Sequence, residues 1–188
     1  TNGIGVMSFS DYAKGFFNAE SAAAFAKFAK ESSVKVIVDL KPSVKNPERM
    51  NMFKGFYGFM PNLREAEEIS GVKYEGKESL VRISRKCMEI LEPEGFLLIT
   101  HGKEGMHLYY PNGKEEHIPA IKVDVTDIIG VGDTVVAALS LALAADASVS
   151  EAARISNYAA SIAVRTTGTA SVKREELEDL IKNESRMI

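Results

Sequence analysis

A single cysteine, Cys87, rules out a disulfide within the chain and fits a reducing compartment, the cytoplasm. It falls among apolar residues at helical spacing, which reads as a buried core thiol and not a nucleophile. Long apolar runs are missing too. The run over residues 135–145 is too short to cross a bilayer, and its alanines suit a packed helix. No secretory signal is visible, so no membrane is expected as a partner. Positive charge is not in surplus: 23 Lys and Arg stand against 26 Asp and Glu. The net charge of −3 and pI near 5.7 argue against a nucleic-acid surface. The three histidines, His101, His107 and His117, lack the spacing of a zinc site, and the last two read as structural or exposed hairpin residues. No Ser–His–acid arrangement can be argued, and no GxxxxGK[ST] loop is present, which removes P-loop enzymes. With no linker, low-complexity tract or repeat, 188 residues make one domain with a proper core. These absences leave a soluble globular protein with neither a nucleic acid nor a membrane as an expected partner.

What is present concentrates in residues 127–146, DIIGVGDTVVAALSLALAAD. Gly130 and Gly132 let the backbone turn where a side chain would clash. A run of small apolar residues follows and reads as a buried helix. The free N–H groups of its first turn and its dipole make an anion site from backbone alone. Asp133 is odd for simple anion binding. It makes sense facing a hydroxyl that attacks the anion. The plain alternative is that Asp133 is a helix N-cap, a position aspartate favours.

Along the chain, residues 4–9 read as a strand and 18–30 as an alanine-rich helix. Residues 34–38 are β-branched and end at Asp39, a buried strand; together these make a βαβ unit with a parallel pair. Pro47 opens a short helix to residue 52, 55–60 read as a strand, and 63–70 as a helix stopped by Gly71. Residues 77–91 place Leu80, Ile83, Cys87, Ile90 and Leu91 at helical spacing. Residues 96–100 read as a buried strand, and 106–110 with 115–118 flank Pro111-Asn112-Gly113 as a hairpin. Helices are expected over 135–145, 149–165 and 173–182. Alternating strands and helices indicate an α/β layer fold, in which ligands bind at the carboxyl ends of the strands.

The polar residues that collect at those ends are Asp11 and Lys14, Asp39 and Lys41, Asn62 and Glu65, Thr100 and Gly102, and Asp133. Each has an ordinary reading alone; Asn62 and Glu65, for instance, form a capping-box pattern. Together they suit a phosphate-rich ligand with Mg²⁺, which needs few carboxylates and keeps several waters, so Glu65 would act mainly through water.

Five stretches carry a resemblance: Ser10-Asp11-Tyr12-Ala13-Lys14-Gly15, Val38-Asp39-Leu40-Lys41, Pro61-Asn62-Leu63-Arg64-Glu65, Thr100-His101-Gly102-Lys103-Glu104-Gly105 and Asp127-Ile128-Ile129-Gly130-Val131-Gly132-Asp133-Thr134. In this order they resemble the ribokinase-like (PfkB) sugar kinases, and within them the kinase domain of bifunctional ADP-heptose synthase. Asn157-Tyr158-Ala159-Ala160 and Gly168-Thr169-Ala170-Ser171-Val172 resemble that subfamily as well. The resemblance implies a three-layer α/β, ribokinase-like and Rossmann-like fold with a mainly parallel sheet. It implies ATP and Mg²⁺ as cofactors and phosphotransfer to a sugar phosphate hydroxyl, the substrate being heptose 7-phosphate. Asp133 would be the catalytic base, and the backbone of Gly130, Val131 and Gly132 the anion hole. Asn62 and Glu65 would order Mg²⁺ and phosphate. Thr100, Gly102, Gly105 and Asn157, with Asn62, would form the nucleotide pocket. Asp11, Lys14 and Lys41 would face substrate or phosphate.

Two departures count. Ile129 stands where the family usually has Thr, removing a hydroxyl near the phosphates, and Val131 stands where it has Ala. The family's N-terminal half and lid, which supply much of the sugar site, have no match here, and neither has a nucleotidyltransferase domain with HxGH. Residues 1–188 are therefore expected to be the C-terminal, ATP-side part of a kinase domain, associating with a second copy or with the missing half. The alternatives are a kinase of another sugar or nucleoside, or a nucleotide-binding fragment without catalysis.

Overall fold

The computed structural model describes residues 3–40, 47–169 and 171–185; Lys41 lies outside them. Six strands form one sheet in chain order: β1 (Val6–Asp11), β2 (Lys35–Leu40), β3 (Gly58–Phe59), β4 (Phe96–Thr100), β5 (Met106–Tyr109) and β6 (Glu115–Ile118). β1 to β4 are parallel, and β5 and β6 add an antiparallel hairpin. The helices are α1 (Ala19–Ser32), α2 (Pro47–Asn51), α3 (Leu63–Ser70), α4 (Lys77–Leu91), α5 (Val131–Ala144), α6 (Val149–Ala163) and α7 (Arg174–Ser185).

Strand alternation divides the core in two. Val36, Val38 and Leu40 of β2 and Leu97 and Ile99 of β4 pack with Ala22, Ala66, Ile69, Leu80, Ile83, Cys87 and Leu91 from α1, α3 and α4. Ile37, Phe96 and Leu98 face the other way, onto Val135, Leu139, Leu143, Ala152 and Ala153 of α5 and α6. Helices, sheet and helices thus make three layers, with the parallel strands buried on both faces as their β-branched sequences require. Cys87 is fully buried, and burial pushes its thiol up to about 12. It is a core residue, because a thiolate does not form there.

Most element boundaries shift by one to four residues from the sequence expectation, and two of the shifts, in the strand over 55–60 and at the start of α5, have a clear local reason. The strand expected over 55–60 pairs only at Gly58 and Phe59, because Phe53 N–H bonds Met50 O and Phe56 N–H bonds Phe53 O, coiling the approach. α5 starts at Val131 and not 135: Gly130, with φ +75°, is itself the N-cap. α6 ends at Ala163, two residues before the expected 165.

Parallel strands deliver their carboxyl ends to one edge. There Thr100 N–H bonds Pro61 O at 3.1 Å, and Asn62 and Thr100 form a parallel bridge. The sheet thereby places the start of α3 beside the loop that follows β4.

Candidate functional site

A cavity of about 740 Å³ opens at this edge. Seven of the candidate residues line it: Asn62, Thr100, Gly102, Gly105, Val131, Gly132 and Asn157. They come from five separate places, the starts of α3 and α5, the end of β4, the following 3-10 turn (Gly102–Glu104) and α6. The wall between them is apolar, with Val125, Ile128, Val135, Ala160 and Val164. Two cations, Lys103 and Lys122, also line it, and no acidic side chain does among the described residues. In a chain of net charge −3, that local excess favours an anionic ligand with an apolar part.

Two glycines shape the space. Gly105 has φ +92°, and a Cβ there would lie 2.1 Å from Ile118 O. Only glycine lets the loop lie against the segment after β6. Asn157 grips the same segment from α6, donating its Nδ2 to Pro119 O at 2.8 Å. Gly130 is the second: its left-handed backbone starts α5, and a Cβ there would meet Thr169 Cγ2 at 3.2 Å.

No side chain caps α5. Thr134 N–H bonds Gly130 O at 3.0 Å, and Val131 N–H reaches Ile128 O at 3.4 Å. Helix geometry leaves the amides of Gly132 and Asp133 without an intrahelical acceptor, at the positive end of the dipole. Asp133 is the third residue of the helix and exposed, so its carboxylate is not the N-cap that the plain reading of the sequence allowed. It adjoins the cavity lining at Gly132.

The other candidates lie differently. Asn62 and Glu65 close a capping box: Glu65 N–H donates to Asn62 Oδ1 at 2.9 Å, and Asn62 N–H to Glu65 Oε2 at 2.7 Å. Glu65 is 4% exposed and does not line the cavity. Asp11 is equally buried, ion-paired with Arg49 and accepting Ala13 N–H at 3.1 Å. Lys14 is exposed, and neither it nor Asp11 lines the cavity. Asp39 is buried and accepts from Ser10 Oγ at 3.2 Å.

Sequence reasoning passed over Lys103 and Lys122, which no spacing rule singles out. It also gave Asp127 no role of its own. Asp127 accepts the N–H groups of Gly168 at 2.9 Å, Ile129 at 3.1 Å and Ile128 at 2.7 Å, and these bonds, Gly168 first, hold its carboxyl below the usual carboxylate range. A carboxylate one residue before two apolar residues and a glycine was the available signal.

Among the described residues no three side chains converge as metal ligands, and no helix is long and apolar enough to cross a membrane. Mg²⁺ fits such a place without a protein cage, since it keeps waters and takes oxygens from substrate phosphates.

A family model for pfkB family carbohydrate kinases matches residues 7–176. The bifunctional protein HldE of Shewanella piezotolerans is 38% identical over 174 residues, 93% of this chain and 35% of the relative. HldE of Geobacter sulfurreducens is 36% identical over 92% of this chain and 34% of the relative. The chain therefore spans about a third of the length of the curated relatives it matches. Among solved structures, Arabidopsis thaliana ribokinase complexed with ribose and ATP superposes with a TM-score of 0.80, at 24% identity, over 95% of this chain and 56% of that one. Escherichia coli phosphofructokinase-2 in complex with potassium gives a TM-score of 0.77 at 18% identity, over 96% and 57%. These two likenesses bear on the fold.

Proposed function

Because the chain belongs to the pfkB family of carbohydrate kinases, a ribokinase-like fold that transfers phosphate to a sugar hydroxyl, we propose that it is the C-terminal, ATP-side part of such a kinase domain. The observation that carries this is the cavity itself, where the candidate nucleotide residues meet the uncapped start of α5. The apolar wall takes the base and ribose. Lys103 and Lys122 offset phosphate charge, and the amides of Gly132 and Asp133 receive the transferring phosphoryl group. The acceptor hydroxyl attacks the γ-phosphorus, its proton passes to the Asp133 carboxylate, the bond to the β-phosphate oxygen breaks, and ADP leaves. Mg²⁺, when bound with the nucleotide, neutralises phosphate charge. Asn62, held by its capping box at the cavity wall, would help order that charge, and Glu65 would act through Asn62 or water.

The proposed acceptor is a sugar phosphate, heptose 7-phosphate, on the strength of the motifs at residues 10–15, 61–65 and 127–134. β1 has one strand neighbour among the described residues, and Ile4 and, on α5, Leu141 are exposed, 53% and 72%. An open edge with apolar flanks supports association, with the rest of a kinase domain or with a second copy.

The test is ADP release by this chain and by a chain of the relatives' kinase-domain length, each with heptose 7-phosphate, ribose or fructose 6-phosphate. The expected result is heptose 7-phosphate-dependent turnover by the longer chain and weak turnover by the shorter. ATP binding with no turnover by either would favour a non-catalytic nucleotide-binding protein. Turnover with another sugar only would move the acceptor assignment.

A further inference from the structure

The 3-10 turn that carries Gly102 and Lys103 to the cavity wall has little to hold it in place. It is three residues long, Gly102–Glu104, all three are exposed, and no side chain caps it. Its backbone bonds are local: Glu104 N–H to His101 O at 3.0 Å, Gly105 N–H to Gly102 O at 3.1 Å and His101 N–H to Gly105 O at 2.8 Å. Among the described residues, one hydrogen bond ties the turn to another element. His117 Nε2, on β6, lies 2.7 Å from Glu104 O. A carbonyl oxygen only accepts, so Nε2 carries the proton and donates. The next residue of β6 meets the next residue of the loop, because Ile118 O is what a Cβ on Gly105 would strike. β6 thus holds the end of the turn twice, once by a side chain and once by close backbone packing.

The His117 ring is held in its turn. His107 stands directly across the ladder from it, and the two rings stack with centroids 4.5 Å apart and planes 14° from parallel. His101, the residue before the turn, lies 5.6 Å from His107, and Tyr74 meets His101 edge-on at 4.8 Å. A row of three imidazoles therefore links the residue that enters the turn to the one that anchors its last carbonyl. We propose that His117 is a positioning residue, which by holding Glu104 O sets where the Gly102–Gly105 loop presents Lys103 and its backbone amides to a bound nucleotide. The inference rests on the nucleotide-binding role given to the cavity. Two substitutions separate the donor from the ring. His117→Gln keeps an N–H donor and loses the stack on His107, whereas His117→Phe keeps a ring on His107 and has no donor.

The experiment uses the 188-residue chain and its His117→Phe and His117→Gln forms. Calorimetry measures binding of ADP with Mg²⁺. Amide exchange is read at Glu104 and Gly105, whose bonds to His101 O and Gly102 O report the turn, relative to Leu108 within the β5 ladder. ADP affinity should fall roughly three- to tenfold in His117→Phe, the range of one hydrogen bond, and stay within about twofold in His117→Gln. Exchange at Glu104 and Gly105 should rise in His117→Phe alone while exchange at Leu108 holds. Unchanged affinity in His117→Phe, or equal weakening in both forms, would overturn the proposal and leave His117 a hairpin residue. If the unsubstituted chain does not bind ADP, the kinase reading fails separately. Exchange then decides alone: a rise confined to His117→Phe supports the positioning role, and no rise, or a rise in both forms, overturns it.

Discussion

Two helices, α3 and α5, begin at the same cavity, and their starts are built in opposite ways. α3 is closed by its own side chains: Asn62 and Glu65 satisfy each other's amides, and Glu65 is buried in doing so. α1 and α6 start the same way, with Asn18 and Ser21, and with Ser148 and Glu151. α5 starts at a glycine with no side-chain cap. A capping residue stabilises a helix by about 1 kcal/mol, so leaving α5 open costs stability that its buried face, Val135, Leu139, Ala142 and Leu143, must offset. α4 also starts at a glycine without a side-chain cap, Gly76, so an open start alone marks no site; α5 differs in that its first turn lines the cavity, where we propose that its backbone donors meet a ligand.

The largest effect is expected from the residue beside those donors. In a turnover-competent kinase-domain-length chain, Asp133→Asn should lower kcat by roughly 10²–10⁴ with nucleotide affinity nearly unchanged, the range for a general base. Steady-state kinetics with a binding isotherm check this, and near-normal kcat would reduce Asp133 to a helix residue. Next comes the shape of the cavity. Gly105→Ala sets a Cβ against Ile118 O and should cost more than about 2 kcal/mol in urea denaturation, with loss of ATP binding. Gly130→Ala should cost about 1–2 kcal/mol for its left-handed backbone. Full stability of both would mean that the loops relax and the open start of α5 is not fixed by glycine.

The closed helix gives a smaller effect. Asn62→Ala removes the acceptor for Glu65 N–H and should cost about 1 kcal/mol, read from the urea midpoint. A value near zero would mean the box is ornamental. The smallest effect lies away from the cavity. Burial first, then the rings of His117 and His101, push His107 down to about 4. The unfolded chain takes up that proton near 6.5, so the folded state loses stability as pH falls from about 6.5 towards 4 and is unaffected above. His107→Phe should flatten that acid-side loss, measured by urea denaturation at pH 7 and near pH 5. An identical loss in the variant would place its origin elsewhere.

Much of this comparison was legible in the residues. The β-branched run at Val36, Ile37 and Val38 and the helical spacing of Leu80, Ile83 and Cys87 gave the layers, because burial of a face imposes its period on the sequence. The Asn62–Glu65 box was readable from spacing, since a cap is local. The start of α5 was placed four residues late, because Gly132 and Asp133 look like loop residues and only the backbone of Gly130 shows where the helix begins. Asp11 was read for its place at a strand end, while Arg49, 38 residues away, decides what it pairs with. Lys103, Lys122 and the Asp127–Gly168 bond depend on folding together of distant segments, which no short motif carries.

The most direct measurement is a titration of the isotope-labelled chain with Mg²⁺ and ATP, following backbone amide shifts. The amides of Gly132 and Asp133, open at the start of α5, should move most and saturate together with those of Gly102 and Gly105. The Glu65 amide, already occupied by Asn62, should move little, and Ser21 and Glu151, locked in the boxes of α1 and α6, should stay still. Saturating shifts elsewhere, with Gly132 and Asp133 unmoved, would contradict the account.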